Sequence, residues 1–315
     1  MLKTTTGRLV ELSLIAASLA LAPSAASFDR GGQEKPRPSS TEGQKKEDGK
    51  VPTEKELENA KKDQEKKSPQ VKLSQVEAIA ELTILAYGGR TQLQTVRAAI
   101  QEEGTVRLAT DQGDITGSYM MRSIRKEKSW QDLLRNDLEL TSPEAAQRAG
   151  APATVKYIIA FNGASVWSAQ NNQYVVATPE AEAAFRAQLV HDFTTLLRYK
   201  EDGSKLELKD AETVVGVQTN VIDLTTPSGD KTRFWISAKT FRIVHLEYEL
   251  KVSEAEPAKK YRISYYYTPY RVIQNTLVPS RRVMMQDGKF VQEINLSNIV
   301  YSAKLDPEIF QHLQQ

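Results

Sequence analysis

Few residues in this chain have the type and spacing to do covalent chemistry. His191-Asp192 has the composition of a general-base dyad, but neighbours on a helix point about 100° apart and do not face each other. Gly163-Ala164-Ser165-Val166-Trp167 fails the Gly-x-Ser-x-Gly elbow at its last position. Gly229-Asp230-Lys231-Thr232 has the tail of a phosphate loop without its upstream glycine, and it sits in a predicted hairpin. The carboxylate pairs Glu102/Glu103 and Glu247/Glu249 fit solvated strand ends and faces. There are three histidines and no cysteine, so thiolate zinc, iron–sulfur and disulfide chemistry are excluded, and scattered histidines predict no metal site. With no nucleophile–base set, the expectation is a protein that is not an enzyme and carries no cofactor.

What remains is apolar and aromatic alternation. Val244, Leu246, Tyr248 and Leu250 share one face of a predicted strand, and His245, Glu247 and Glu249 the other. Ile263, Tyr265 and Tyr267 share a face, as do Ile294 and Leu296. One side of a sheet is therefore apolar. It is either core beneath helices or, in part, the lining of a cavity for an apolar ligand.

The 315 residues carry 42 basic and 40 acidic side chains. A net charge of +2 argues against a nucleic-acid partner bound by counterion release. Residues 1–27 read as a secretory signal: Lys3 and Arg8 precede a short apolar run, and small residues place cleavage after Ala26 or Ser27. No later run is long enough for a transmembrane span. The expectation is an exported, periplasmic protein. Residues 28–70 form a charged linker in which 21 of 43 residues are ionisable, too polar to form a core. Residues 71–315 are the folded domain.

The domain opens on a capping box, Ser74-Gln75-Val76-Glu77, with a helix that Gly88-Gly89 stops. A second helix is predicted over 91–99, and Gly104 opens the first strand. Asn162-Gly163 and Asn171-Asn172 mark hairpins. Thr178-Pro179 starts one long helix over 179–198, with Phe185, Leu189 and Phe193 on a stripe. Strands fill the rest. The fold class is α+β: an antiparallel, curled, incomplete β-barrel of about ten or eleven strands, with two amino-terminal helices and one inserted helix over the open side.

This order of elements resembles the LolA/LolB-type lipoprotein-carrier superfamily, whose half-barrel is closed by helices at its mouth. Four segments carry the resemblance. They are the Asn162-Gly163 turn leading to Trp167, the strand and turn from Thr232 to Thr240, the Tyr270-Arg271 hairpin ending at Pro279, and the closing strand from Asn298 through Leu305-Asp306 to Phe310. Residues 136–154 and 253–260 stand outside that pattern. The resemblance implies a binding or carrier module that holds a lipid or lipoprotein acyl chain without covalent chemistry. Its candidate lining is Trp130, Trp167, Phe185, Leu189, Phe193, Val244, Leu246, Tyr248, Ile263, Tyr265, Tyr267, Ile294 and Leu296, with the helix stripe packed near Val244 and Leu246. Expected partners are a lipid or an acylated protein. The alternative is a structural or signalling adaptor, its barrel self-filled and its outer face bound to an envelope protein.

Overall fold

Helix α1 (Gln75–Ala86) begins where the capping box places it: Ser74 Oγ accepts from the Glu77 amide, and Glu77 Oε2 accepts from the Ser74 amide at 3.0 Å. It buries Ile79, Ala80, Thr83 and Ile84 and leaves Leu82 and Leu85 exposed. Gly88 ends it at φ 119°, and a Cβ there would lie 2.6 Å from the Asn275 carbonyl oxygen. This computed structural model describes residues 74–110, 113–125, 133–141, 154–252 and 260–311. Residues 1–27 and 28–70, expected from sequence to be a signal and a linker, and Trp130 lie outside the described residues. Helix α2 (Arg90–Val96) is shorter than predicted, because the chain is already extended at Ala99.

The first half of the sheet comprises β1 (Ala99–Thr110), β2 (Gly113–Ile124), β3 (Leu133–Thr141), β4 (Thr154–Phe161), β5 (Val166–Gln170) and β6 (Gln173–Val175). The second comprises β7 (Lys205–Val214), β8 (Val217–Thr225), β9 (Lys231–Ser237), β10 (Ile243–Lys251), β11 (Lys260–Tyr267), β14 (Arg281–Gln286) and β15 (Lys289–Tyr301). These make one thirteen-stranded sheet in the order β6-β5-β4-β3-β2-β1-β15-β14-β11-β10-β9-β8-β7. All its pairings are antiparallel, and the halves join where β1 meets β15. A separate ribbon pairs β12 (Tyr270–Ile273) with β13 (Thr276–Pro279).

The sheet holds more strands than the ten or eleven expected. β3 falls largely in the segment that matched no pattern. Between β13 and β14 the chain breaks at Ser280, whose amide and hydroxyl both donate to the Pro269 carbonyl. β1 starts before Gly104 and passes through it. The register against β15 shifts between Glu103 and Gly104, and a Cβ at Gly104 would lie 2.1 Å from the Asn295 carbonyl oxygen.

The predicted helix over 179–198 is two helices, α3 (Pro179–Val190) and α4 (Phe193–Leu197). Asp192 breaks it by acting as an N-cap: its carboxylate accepts from the Phe193 amide at 2.7 Å and from Thr194 Oγ1 at 2.8 Å. Helix α3 touches both β5 and β10, which stand eight positions apart in the sheet. At about 4.8 Å per strand a flat sheet would separate them by roughly 38 Å, whereas twelve helical residues span only about 18 Å. The sheet therefore curls around the helix, while its end strands β6 and β7 stay unpaired with each other, so the barrel is incomplete.

Two large apolar clusters fill the concave side. One packs α1 and α4 on β8–β11, and the other packs Phe185 of α3 on β1–β4 and β15. Phe185 and Phe193, read as one stripe, thus belong to different halves of the core. A small cluster of Ile158, Ala160, Trp167 and Ala169 lies on the convex face. There Trp167 Nε1 donates to the Phe310 carbonyl at 2.8 Å.

Candidate functional site

Strand parity puts one row from each strand of the sheet on the concave side. Across the middle of the sheet the rows run Tyr265, Met284, Gln292, Leu108 and Ile115; then Tyr267, Arg282, Ile294 and Val106; then Ile299, Glu102, Met121, Asn136 and Ile159. The rows are apolar except where Glu102, Arg282, Asn136 and Gln292 interrupt them. Above them stands the break between α3 and α4. The space between sheet and break is a cavity of about 190 Å³.

Of the residues singled out from sequence, Leu189, Phe193, Tyr265, Tyr267 and Ile294 line this cavity. Phe185, Leu246, Tyr248, Ile263 and Leu296 are buried in the surrounding core without lining it. Val244 is displaced from its predicted place: the register against β9 shifts between Ile243 and His245, so Ile243 takes the buried position and Val244 is left half-buried. Trp167 faces the other way, because it pairs with Ala160 while its neighbours Val166 and Ser168 face Phe161 and Ile159.

The sequence reading missed the polar part of the site. Glu102, expected to be solvated, is 5% exposed. Its Oε1 accepts from Arg282 Nη2 at 2.5 Å. Burial alone works against the charge of Arg282, but the Glu102 carboxylate outweighs it and raises the guanidinium pKa above its ordinary value. Glu102 Oε2, Arg282 Nε, Asn136 Oδ1, Gln286 Oε1 and Arg97 Nε are buried without a hydrogen-bond partner among the described residues. One signal could have exposed Glu102: a strand begun at Ala99 alternates Ile100, Glu102, Val106 and Leu108 on one face.

Burial also sets the tyrosines. The Tyr265 hydroxyl is pushed up to about 12, and those of Tyr119 and Tyr267 are also raised. All three stay neutral at ordinary pH, and the Tyr265 hydroxyl lies 3.3 Å from Met284 Sδ.

His191 stacks on Tyr248 with ring centroids 4.0 Å apart, and its Nδ1 lies 2.7 Å from Thr232 Oγ1. Burial lowers its pKa to about 4, so the ring is neutral. The Asp192 carboxylate meanwhile caps α4, which gives the two residues separate structural tasks. Thr232, the end of the phosphate-loop-like tetrapeptide, is taken up by this contact in the β8–β9 hairpin. Among the described residues, no group of three or more carboxylate or imidazole side chains could hold a metal ion. Nor is any helix there long and apolar enough to cross a membrane.

No family model and no curated protein matches the chain. Solved structures do. One is a DUF1329 family protein from Desulfovibrio piger, at 13% identity and a TM-score of 0.49, covering 76% of this chain and 98% of the other. Another is a LolA superfamily protein from Nitrosomonas europaea, at 15% identity and a TM-score of 0.43, covering 76% and 99%. In the course of its chain the protein is similar to proteins of the DUF1329 and LolA kinds.

Proposed function

We propose that this is an exported, periplasmic binding or carrier protein. It holds the apolar chain of a lipid or acylated protein between the concave sheet face and the α3–α4 segment, without covalent chemistry or a cofactor. The observation that carries this reading is the cavity itself. It is walled by Leu189, Phe193, Tyr265, Tyr267, Met284 and Ile294, and one side of it is a broken helix rather than a strand. The motif resemblance to lipoprotein carriers and the secretory character of residues 1–27 agree with it.

The size of the cavity sets a condition on the mechanism. At about 190 Å³ it is smaller than the roughly 300–1,000 Å³ of ordinary ligand pockets, so a long acyl chain does not fit inside it whole. Each methylene that it does bury contributes about 0.8 kcal/mol. Tighter binding of a longer chain requires the α3–α4 segment to move outward.

One observation favours the adaptor reading: the β8–β11 half is filled by its own side chains, with Leu246 and Ile263 at 0% exposure. A dye that fluoresces in apolar cavities separates the two. Binding that a long-chain lipid displaces supports carriage, and absence of dye binding supports the adaptor.

A further inference from the structure

The cavity of an acyl-chain carrier need hold no charge, yet this one has six ionic side chains in its wall: Arg97, Arg125, Arg198 and Arg282 against Glu102 and Asp192. Cations exceed anions by two. Three of the arginines have assigned work. Arg282 is paired with Glu102 at 2.5 Å, Arg198 lies 3.7 Å from Asp202, and Arg125 reaches Thr194 Oγ1 on α4.

Arg97 differs. It is 4% exposed, and among the described residues it has no carboxylate within ion-pair reach. Its Nη2 donates to the Leu277 carbonyl at a long 3.3 Å, and among the described residues Nε has no acceptor. Its guanidinium lies over the rings of Phe193 and Tyr301, 5.2 and 5.6 Å from their centroids. These rings stabilise a cation but do not neutralise it. A buried charge without a counter-charge is costly, and proteins keep one where a ligand completes the pair. Phe193 itself opens α4, so Arg97 sits where the α3–α4 wall meets the sheet.

We infer that Arg97 is the anion subsite of the cavity. The cargo is then an amphiphile with an acidic oxygen head, a carboxylate or a phosphate monoester, whose oxygens take up the free guanidinium edge while its chain lies along Ile294, Tyr265 and Met284. This rests on the carrier reading and narrows it to a charged class of lipid. Arg97 acts by binding and orientation, and no covalent step is involved.

The test uses cis-parinaric acid, a fluorescent fatty acid, and its methyl ester, which has the same chain and no charge. The expected result is that the acid binds the full chain about tenfold or more tighter than the ester, the range of a charge-assisted hydrogen bond. Arg97→Met should erase the difference and leave the ester unchanged, while Arg97→Lys keeps part of it. Without ligand, Arg97→Met should melt no lower than the parent, since it removes an uncompensated charge; a large drop would make Arg97 a structural residue and overturn the inference. Equal binding of acid and ester also overturns it and leaves the carrier reading standing. Binding of neither overturns both. Displacement by palmitate against 1-palmitoyl lysophosphatidate then distinguishes carboxylate from phosphate as the head group.

Discussion

Arg282 on β14 reaches across β15 to Glu102 on β1, and the bond between them crosses the apolar floor of the half-barrel at 2.5 Å. Their β15 neighbours, Ile294 and Ile299, are both buried. An ion pair in such a place stabilises little net, because both charges lose water, but removal of one partner strands the other.

Glu102→Ala should therefore destabilise the domain by about 3–5 kcal/mol. The double replacement Glu102→Met/Arg282→Met should fall within about 1 kcal/mol of the parent, since the volume is kept and no charge is left behind. Urea unfolding of the three proteins checks this. Equal losses in the single and double variants would show that the pair holds the fold by more than mutual neutralisation.

Phe185 is fully buried on α3 among β1–β4 and β15. Phe185→Ala should cost about 3–5 kcal/mol by loss of transfer energy and the cavity it leaves. A thermal melt reads the effect. An unshifted melt would mean that α3 lifts off the sheet without cost, as a lid rather than a core helix.

The α3–α4 break depends on Asp192. Asp192→Ala removes acceptors for the Phe193 amide and the Thr194 hydroxyl, and should cost about 1 kcal/mol. Asp192→Asn should retain most of that. Hydrogen exchange of the α4 amides is the sensitive readout, with faster exchange expected in the alanine variant.

Acid should weaken the fold through two buried imidazoles. His191 against Tyr248, and His245 between Trp235 and Tyr266, both have pKa values lowered to about 4, chiefly by burial. The unfolded chain takes up these protons near pH 6.5 while the folded chain refuses them until about 4. Stability is thus complete above about pH 7, falls as pH drops from 6.5 to 4, and is flat for these groups below that. Each ring contributes on the order of 3 kcal/mol over the window. Urea midpoints at pH 7.5 and 4.5 should differ accordingly, and replacing His191 with Asn and His245 with Gln should shrink the difference. An unchanged gap in the double variant would take the acid response between these two pH values away from the imidazoles; Glu293, whose pKa is held down to about 2 by Arg281, Asn295 and Arg107, loses its contribution only below about pH 4.5.

Much of the scaffold was legible because local chemistry and fold agree. The Ser74 capping box, the Asn162-Gly163 and Asn171-Asn172 turns and the Thr178-Pro179 helix start all stand where sequence places them, and both asparagines at 171 and 172 take positive φ. Strand β3 was missed because its convex face carries Arg135 and Asp137, and the Asp137 carboxylate pairs with both Arg135 and Arg122. Those charges hide the alternation of Leu134, Leu138 and Leu140. The helix break was missed because an aspartate cap inside an apolar period is a competition between backbone partners, which periodicity does not weigh. The charged floor of the cavity was the least legible part. Glu102 looks like any solvated strand glutamate until Arg282, 180 residues away, is brought to it.

Carriage puts an apolar chain in the space between the concave sheet face and the α3–α4 segment. Native mass spectrometry during titration with a sixteen-carbon amphiphile tests it most directly when paired with Ile294→Trp, which fills the cavity floor from β15. One bound ligand is expected on the parent chain and none on the filled variant, with both chains folded by circular dichroism. Equal uptake by both, or no uptake by the parent, would contradict it.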